Sequence, residues 1–136
     1  MGRRRESTAR VRLYVTKDTV TFGATPVKKG DMIVNNKPAE TYFASDVYKK
    51  MYLEPFRTTN SLGRFAVNVK TRGGGLKGQL GSVILGISRA LEKVDKDKFR
   101  PILKKRGFLS RDSRIKQRRK AGFAGKARAK KQSPKR

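Results

Sequence analysis

The chain contains no cysteine, no histidine and no tryptophan. Without cysteine there are no disulfides, thiol nucleophiles or thiolate ligands, and without histidine there is neither an imidazole base nor the usual nitrogen ligand of zinc. Acidic residues are scarce as well, 10 Asp and Glu against 36 Lys and Arg, so paired carboxylates for acid/base or metal chemistry have few places to sit. Asp95 and Asp97 come nearest, but they alternate with Lys96 and Lys98 at a helix boundary and read as solvated, capping carboxylates. No catalysis, no cofactor and no metal are expected. Long apolar runs are also missing, which leaves no candidate membrane span, and the opening MGRRRESTAR is not followed by the apolar segment of a secretory signal. Neither a membrane nor a small-molecule substrate is expected as a partner, and the protein is expected to remain in the compartment where it is made.

What the chain has in excess is positive charge, a formal +26 on 136 residues. Such a surplus repels itself and calls for a polyanion, of which nucleic acid is the commonest. The charge is not spread evenly. From Lys104 to Arg136 the only acid is Asp112, against fifteen Lys and Arg, a surplus of +14. After Leu109 the large apolar residues are Ile115 and Phe123, too few to offset the entropy of ordering, so residues 109–136 are expected to be a tail, disordered when free. Residues 1–8 read as a basic arm and residues 9–108 as one globular domain, enough for a modest core.

Within that domain, Arg10, Arg12 and Tyr14 alternate with Val11, Leu13 and Val15, the period of a half-buried strand. Two further β-rich stretches, Thr19 to Phe22 and Asp31 to Val34, read as a hairpin with a long connection through Gly23, Pro26 and Gly30. Phe43, Val47 and Met51 recur at helical spacing behind Ser45, a candidate N-cap, and the helix is expected to end before Pro55. Phe65, Val67 and Val69 alternate in another strand that runs into Gly73-Gly74-Gly75. The clearest helix follows, with Leu80, Val83, Ile84, Ile87, Leu91 and Val94 on one face. Asp97 is the expected cap of a last helix stopped by Gly107. Strands with helices packed on one face of an antiparallel-rich sheet make an α+β domain rather than a doubly wound one.

The glycine cluster stands where a phosphate-cradling loop would stand, between a strand and a helix N-terminus. A P-loop would close with Gly-Lys-Ser/Thr, whereas Gly78 is followed by Gln79 and Leu80, so that motif fails. Two readings remain. Gly78, Gly81 and Gly86 permit close packing of the helix, and Gly73 to Gly75 let an RNA backbone approach while Lys70, Arg72, Lys77 and Arg89 supply cations. In the tail, Arg offers planar bidentate phosphate contact and Lys a mobile point charge, and Gly122, Ala124, Gly125, Ala127 and Ala129 keep the backbone slim. Phe123 either stacks on an unpaired base or fills a groove.

Three segments together resemble one family, the ninth protein of the small ribosomal subunit. They are Gly2-Arg3-Arg4-Arg5 through Ser7, Ala9, Arg10 and Val11; then Gly73-Gly74-Gly75, Gly78-Gln79, Gly81 and Gly86 through Leu91; and Gly107 through Asp112, Arg114, Arg119-Lys120, Gly122, Lys126-Ala127-Arg128 and the closing Lys135-Arg136. The resemblance covers nearly the whole chain. It implies a fold like the second domain of ribosomal protein five, seated in the head of the small subunit on the 3′ major domain of its rRNA beside neighbouring head proteins. By match, the rRNA-binding residues would be Arg3, Arg4, Arg5, Arg10, Arg72, Gly73, Gly74, Gly75, Lys77, Gln79, Arg89, Arg111, Arg114, Arg118, Arg119, Lys120, Lys126 and Arg128. The family's tail reaches the anticodon stem-loop of peptidyl-site tRNA, a contact that would fall here to Ser133, Lys135 and Arg136. A Lys-Arg ending is similar to bacterial or organellar members, which places the protein in a cytoplasmic or organellar ribosome. Two departures are the lengthened stretch from Val15 to Val34 and the extra Pro134. The rivals are a histone-like protein that coats DNA and, more remotely, a phosphate-binding enzyme using the glycine turn.

Overall fold

Strand β2 (Ser7–Tyr14) organises the sheet, because its alternation gives it two chemically different faces. Ser7, Ala9, Val11 and Leu13 turn towards the helices, and Thr8, Arg10, Arg12 and Tyr14 turn away. The computed structural model describes residues 1–16, 18–22 and 25–129. In it β2 pairs antiparallel with β7 (Ala66–Arg72), from Thr8 opposite Arg72 to Tyr14 opposite Ala66. On the other side of β2 lies β1 (Gly2–Arg4), also antiparallel, so residues read as part of a basic arm form an edge strand. Beyond β7, β5 (Met32–Val34) joins in parallel and β6 (Lys37–Pro38) pairs antiparallel with it, giving the order β1-β2-β7-β5-β6. The sheet is mostly antiparallel with helices on one face, the α+β architecture expected.

The expected pairing of 19–22 with 31–34 is corrected. Strand β3 (Thr19–Phe22) pairs instead with β4 (Thr25–Lys28) in a separate two-stranded sheet, and β5 is released to the main sheet. The reason lies in burial. Met32, Ile33 and Val34 are apolar in succession and all buried, which requires cover on both faces, whereas an edge strand such as β4 tolerates Pro26. Val27 of the hairpin, with Phe22, packs on Ile33, Ala66 and Tyr14 on the side of the sheet away from the helices.

Helix α1 (Ala39–Tyr42) is a single turn, and α2 (Asp46–Thr58) follows. Ser45 occupies the N-cap position without a side-chain cap bond, and the helix does not stop before Pro55 but runs through it. Proline there removes one backbone bond near the end of the helix, while buried Tyr52 and Phe56 hold the last turns on the core. The hydroxyls of Thr58 and Thr59 donate to the Glu54 and Pro55 carbonyls at 2.8 and 2.9 Å, and the Thr59 amide reaches the Pro55 carbonyl as well at 3.3 Å.

Helix α3 (Leu76–Val94) buries Leu80, Val83, Ile87 and Leu91 against the sheet as expected, while Val94, its last residue, is exposed. The helix meets β1 backbone to backbone and β2 through the Val11 side chain. A Cβ placed on Gly2 would collide with the Ser82 carbonyl oxygen and stand 2.5 Å from the Gly86 nitrogen, and one on Gly86 would lie 2.7 Å from Val11 Cγ2. Close packing is thus the use of Gly86, whereas the space beside Gly81 is filled by the Arg4 side chain. Helix α4 (Lys96–Lys105) is capped by Asp95, whose carboxylate accepts from the Lys98 amide at 3.0 Å. Asp97, the expected cap, lies in the first turn instead, two residues past the position that caps the Lys98 amide. Gly107 ends the helix at φ +74°, with Gly107 N–H donating to the Lys104 carbonyl and Phe108 N–H to the Leu103 carbonyl, the Schellman arrangement.

Candidate nucleic-acid interface

The sheet face turned away from the helices is divided in two. At one end the β3–β4 hairpin covers Tyr14, Ala66 and Ile33. The other end is open, and the register of β2 on β7 sets Arg10 directly opposite Lys70, Arg12 opposite Asn68 and Thr8 opposite Arg72, with Arg3 of β1 beside Thr8. Arg3, Arg10, Arg12, Lys70 and Arg72 are all exposed. Strands β1, β2 and β7 carry no acidic residue, and none of these five cations makes an ion pair among the described residues. Like charges directly opposite on an antiparallel pair destabilise it, so Arg10 against Lys70 is a cost that the fold alone does not explain.

The glycine turn lies at the end of β7. Gly73 and Gly74 hold φ of +76° and +60°, and they face the protein itself: a Cβ on Gly73 would stand 2.7 Å from the Glu6 carbonyl oxygen and one on Gly74 3.3 Å from Ser7 Cβ. Only Gly75 is open, and it is the N-cap of α3 with no side-chain cap and no acid in the first turn, where Lys77 is exposed. The first amides of α3 and Lys77 therefore present positive potential together. Gln79 is engaged within the protein. Its Oε1 accepts from Tyr42 Oη at 2.7 Å and its Nε2 donates to the Gly73 carbonyl at 3.3 Å. Tyr42 is in turn met by Asn35, whose carboxamide pairs with both backbone groups of Thr71. The network ties α1, α3, the β5–β6 turn and the glycine turn into one rigid corner.

Where the tail leaves the core, Arg4 reaches across to it. Its guanidinium pairs with Asp112 at 2.7 Å and donates to the Asp112 and Arg114 carbonyls at 3.3 and 3.0 Å. Arg114 holds the same carboxylate through Nε and Nη2, and its own amide donates to it. Hydrogen bonds from Arg114, with the charge of Arg4 added, hold Asp112 far below the usual carboxylate range. Asp112 is therefore a fixed anion between two arginines.

Beyond it the described tail has turns but no helix or strand. The Lys120 amide donates to the Lys126 carbonyl and the Lys126 amide to the Phe123 carbonyl, closing a loop over which Lys120 Nζ stands 5.9 Å from the Phe123 ring centre. Phe123 is half-buried in this loop. Arg128 donates to Gln117 at 3.1 Å.

The structure thus gathers Arg3, Arg10 and Arg72 on the open sheet face. Arg5, at φ +52° in the β1–β2 turn, and Lys77 stand exposed at the edge of the domain. Arg89 donates to the Met1 carbonyl at 3.1 Å. Arg111, Arg118, Arg119, Lys120, Lys126 and Arg128 are exposed along the tail. Ser133, Lys135 and Arg136 lie outside the described residues. Arg12 was missing from the residues expected to touch RNA, although the alternation that places Arg10 outward places Arg12 there too; Lys70, expected as a cation beside the glycine turn, is set on the sheet face opposite Arg10. Among the described residues no cluster of His, Cys, Asp and Glu is fit to hold a metal, and no helix is long and apolar enough to cross a membrane.

Comparison with known proteins adds a family to this geometry. The chain is 41 % identical over 122 residues to small ribosomal subunit protein uS9 of Cutibacterium acnes, covering 90 % of this chain and 64 % of that protein. It is 40 % identical over 123 residues to small ribosomal subunit protein uS9 of Tropheryma whipplei, covering 90 % of this chain and 72 % of that one. A family model described as Ribosomal protein S9/S16 matches residues 2–136, which takes in the cationic sheet, the glycine turn and the basic tail alike. The chain belongs to the ribosomal protein S9/S16 family.

Proposed function

We propose that the protein is a structural constituent of the small ribosomal subunit that acts in translation by binding rRNA, not by catalysis. One observation carries the reading: among the described residues, which leave out five of the 36 Lys and Arg, only Arg4, Lys49, Arg100, Arg106 and Arg114 form ion pairs, in a chain whose family match spans core and tail together. Cations left free in such number find their counter-charge in phosphate. The rRNA contacts fall to Arg3, Arg5, Arg10, Arg72, Lys77 and the tail cations, with Gly73 to Gly75 and Gln79 shaping the corner beside them. Arg4 and Arg114 present the root of the tail.

The site of action is the head of the subunit, on the 3′ major domain of the rRNA among neighbouring head proteins, inside a cytoplasmic ribosome. Ser133, Lys135 and Arg136 reach the anticodon stem-loop of peptidyl-site tRNA. Affinity comes from phosphate neutralisation, so the logarithm of the binding constant falls with the logarithm of salt by roughly 0.7 to 0.9 per phosphate contacted.

Sedimentation of the tagged protein on a sucrose gradient after a moderate salt wash tests the assignment. Stoichiometric recovery with small subunits supports it, and a peak with chromatin or at the top of the gradient overturns it. Deleting residues 132–136 is expected to leave assembly intact and weaken peptidyl-site tRNA binding; unchanged tRNA affinity in truncated subunits would remove the tail from that contact.

A further inference from the structure

The β3–β4 hairpin leaves open only the cationic end of the outer sheet face, and the chemistry of that end selects its occupant. We infer that the open face formed by Arg3, Arg10, Arg12, Lys70 and Arg72 is a docking surface for the backbone of an RNA double helix, independent of the tail. The inference rests on the rRNA-binding reading above and names the form of RNA and the surface that takes it.

Three observations carry it. The first is charge without a partner: five exposed cations lie on three adjacent strands that contain no acid, and none is drawn into an ion pair among the described residues. With strands about 4.8 Å apart and alternate residues about 6.8 Å apart, they occupy a patch of roughly 10 by 13 Å, dense enough to meet several phosphates at once. The second is the destabilising choice of Arg10 opposite Lys70, with Arg12 and Arg72 as diagonal neighbours, which an anion seated between them turns from repulsion into shared attraction.

The third observation concerns what the face lacks. Single-stranded RNA is held by bases stacked on aromatic rings, and the only aromatic on this side of β1, β2 and β7 is Tyr14, whose ring is spent on Phe22 with centroids 4.6 Å apart under the hairpin. Double-stranded RNA needs no such platform. It is recognised through phosphates and 2′-hydroxyls, and the half-exposed Thr8 and Asn68 stand among the cations with a hydroxyl and an amide to offer. A shallow depression of about 500 Å³ lined by Arg3, Thr8, Arg10, Lys70 and Arg72 gives the backbone a seat.

The test uses the full chain and two charge-removal variants, Arg10→Gln/Arg12→Gln/Lys70→Gln on the sheet and Arg118→Gln/Arg119→Gln/Lys120→Gln on the tail. Each is titrated with a 20-base-pair RNA duplex, a 20-nucleotide single strand and, as a non-nucleic polyanion, polyglutamate over a salt series. The sheet variant is expected to lose at least tenfold in duplex affinity and about two to three units of the salt slope, with a smaller loss for the single strand. Its preference for duplex should shrink, whereas the tail variant should weaken both ligands and keep that preference. Thermal melting of the sheet variant at or above the parent value is expected, because the Arg10–Lys70 repulsion is gone; should the triple variant fold poorly, Arg12→Gln alone is expected to remove about one unit of slope.

A sheet variant with the parent's duplex affinity and slope overturns the surface while leaving the ribosomal reading intact. Equal losses for duplex and single strand, or equal losses for duplex and polyglutamate, overturn the commitment to a double helix. A parent chain that binds neither RNA overturns the ribosomal reading itself.

Discussion

The carboxamide of Asn35 holds the backbone of Thr71 from both sides, Oδ1 accepting from its amide and Nδ2 donating to its carbonyl, each at 2.9 Å. The side chain continues the ladder that β5 makes with β7, one residue past the end of β5, where Asn35 itself turns the chain away at φ +49°. Asparagine suits the position twice, because it tolerates the left-handed region and because its amide copies a peptide group. Asn35→Ala should lose both bonds and pay the left-handed cost, a destabilisation of roughly 2 to 3 kcal/mol by denaturant unfolding. A change below about 0.5 kcal/mol would show that the pair is incidental.

The glycine turn divides into positions that need glycine and one that does not. Gly74→Val puts a β-branched residue at φ +60° against Ser7 and is expected to lower the melting temperature by on the order of 10 °C. Gly75→Ala, with nothing within 4 Å and no positive φ, should stay within about 1 kcal/mol of the parent. Melting curves of the two variants side by side check the contrast.

Asp112 titrates below the ordinary carboxylate range because Arg114 hydrogen-bonds it and Arg4 adds charge. A depressed carboxylate contributes stability that is present above its unfolded value, about 3.9, and is lost as pH falls through the folded one. The difference in stability between the parent and Asp112→Asn should therefore be constant at neutral pH and close below about pH 4. In a carboxyl NMR titration Arg114→Gln should restore more of the normal midpoint than Arg4→Gln, since Arg114 supplies the larger effect.

At the other end of the scale, burial first and the Glu40 charge second push Tyr52 up to about 12. Below its unfolded value near 10 both states keep the proton, and between about 10 and 12 only the unfolded state loses it. Stability should fall across that window by about 1.4 kcal/mol per pH unit, and Tyr52→Phe should remove that part of the decline. Equal slopes for the two proteins would mean that the hydroxyl is well solvated.

The elements legible in the sequence were those whose pattern is local. The alternation of Arg10 to Val15, the long apolar stripe of α3 and the stop at Gly107 each follow from a single repeat or a single glycine, and each is in the structure. What was not legible depends on pairing across distance. Nothing in residues 31–34 shows that they leave the hairpin for a parallel place beside β7, and nothing in Arg10 or Lys70 taken alone shows that they stand opposite one another. Pro55 misled for a related reason, because its local cost is outweighed by two aromatic anchors that only the tertiary structure supplies. The candidate interface was legible as charge and hidden as geometry.

The contacts of β1 also set an order in time. Arg4 is bonded to residue 112, a separation of 108 positions, and Met1 to Arg89, a separation of 88. At about 5 to 20 residues per second of synthesis, Arg4 waits on the order of ten seconds before Asp112 exists. Loops of that length are slow to close, which predicts that their contacts form on the far side of the folding barrier. Weakening them by Arg4→Gln should therefore speed unfolding and leave the refolding rate nearly unchanged.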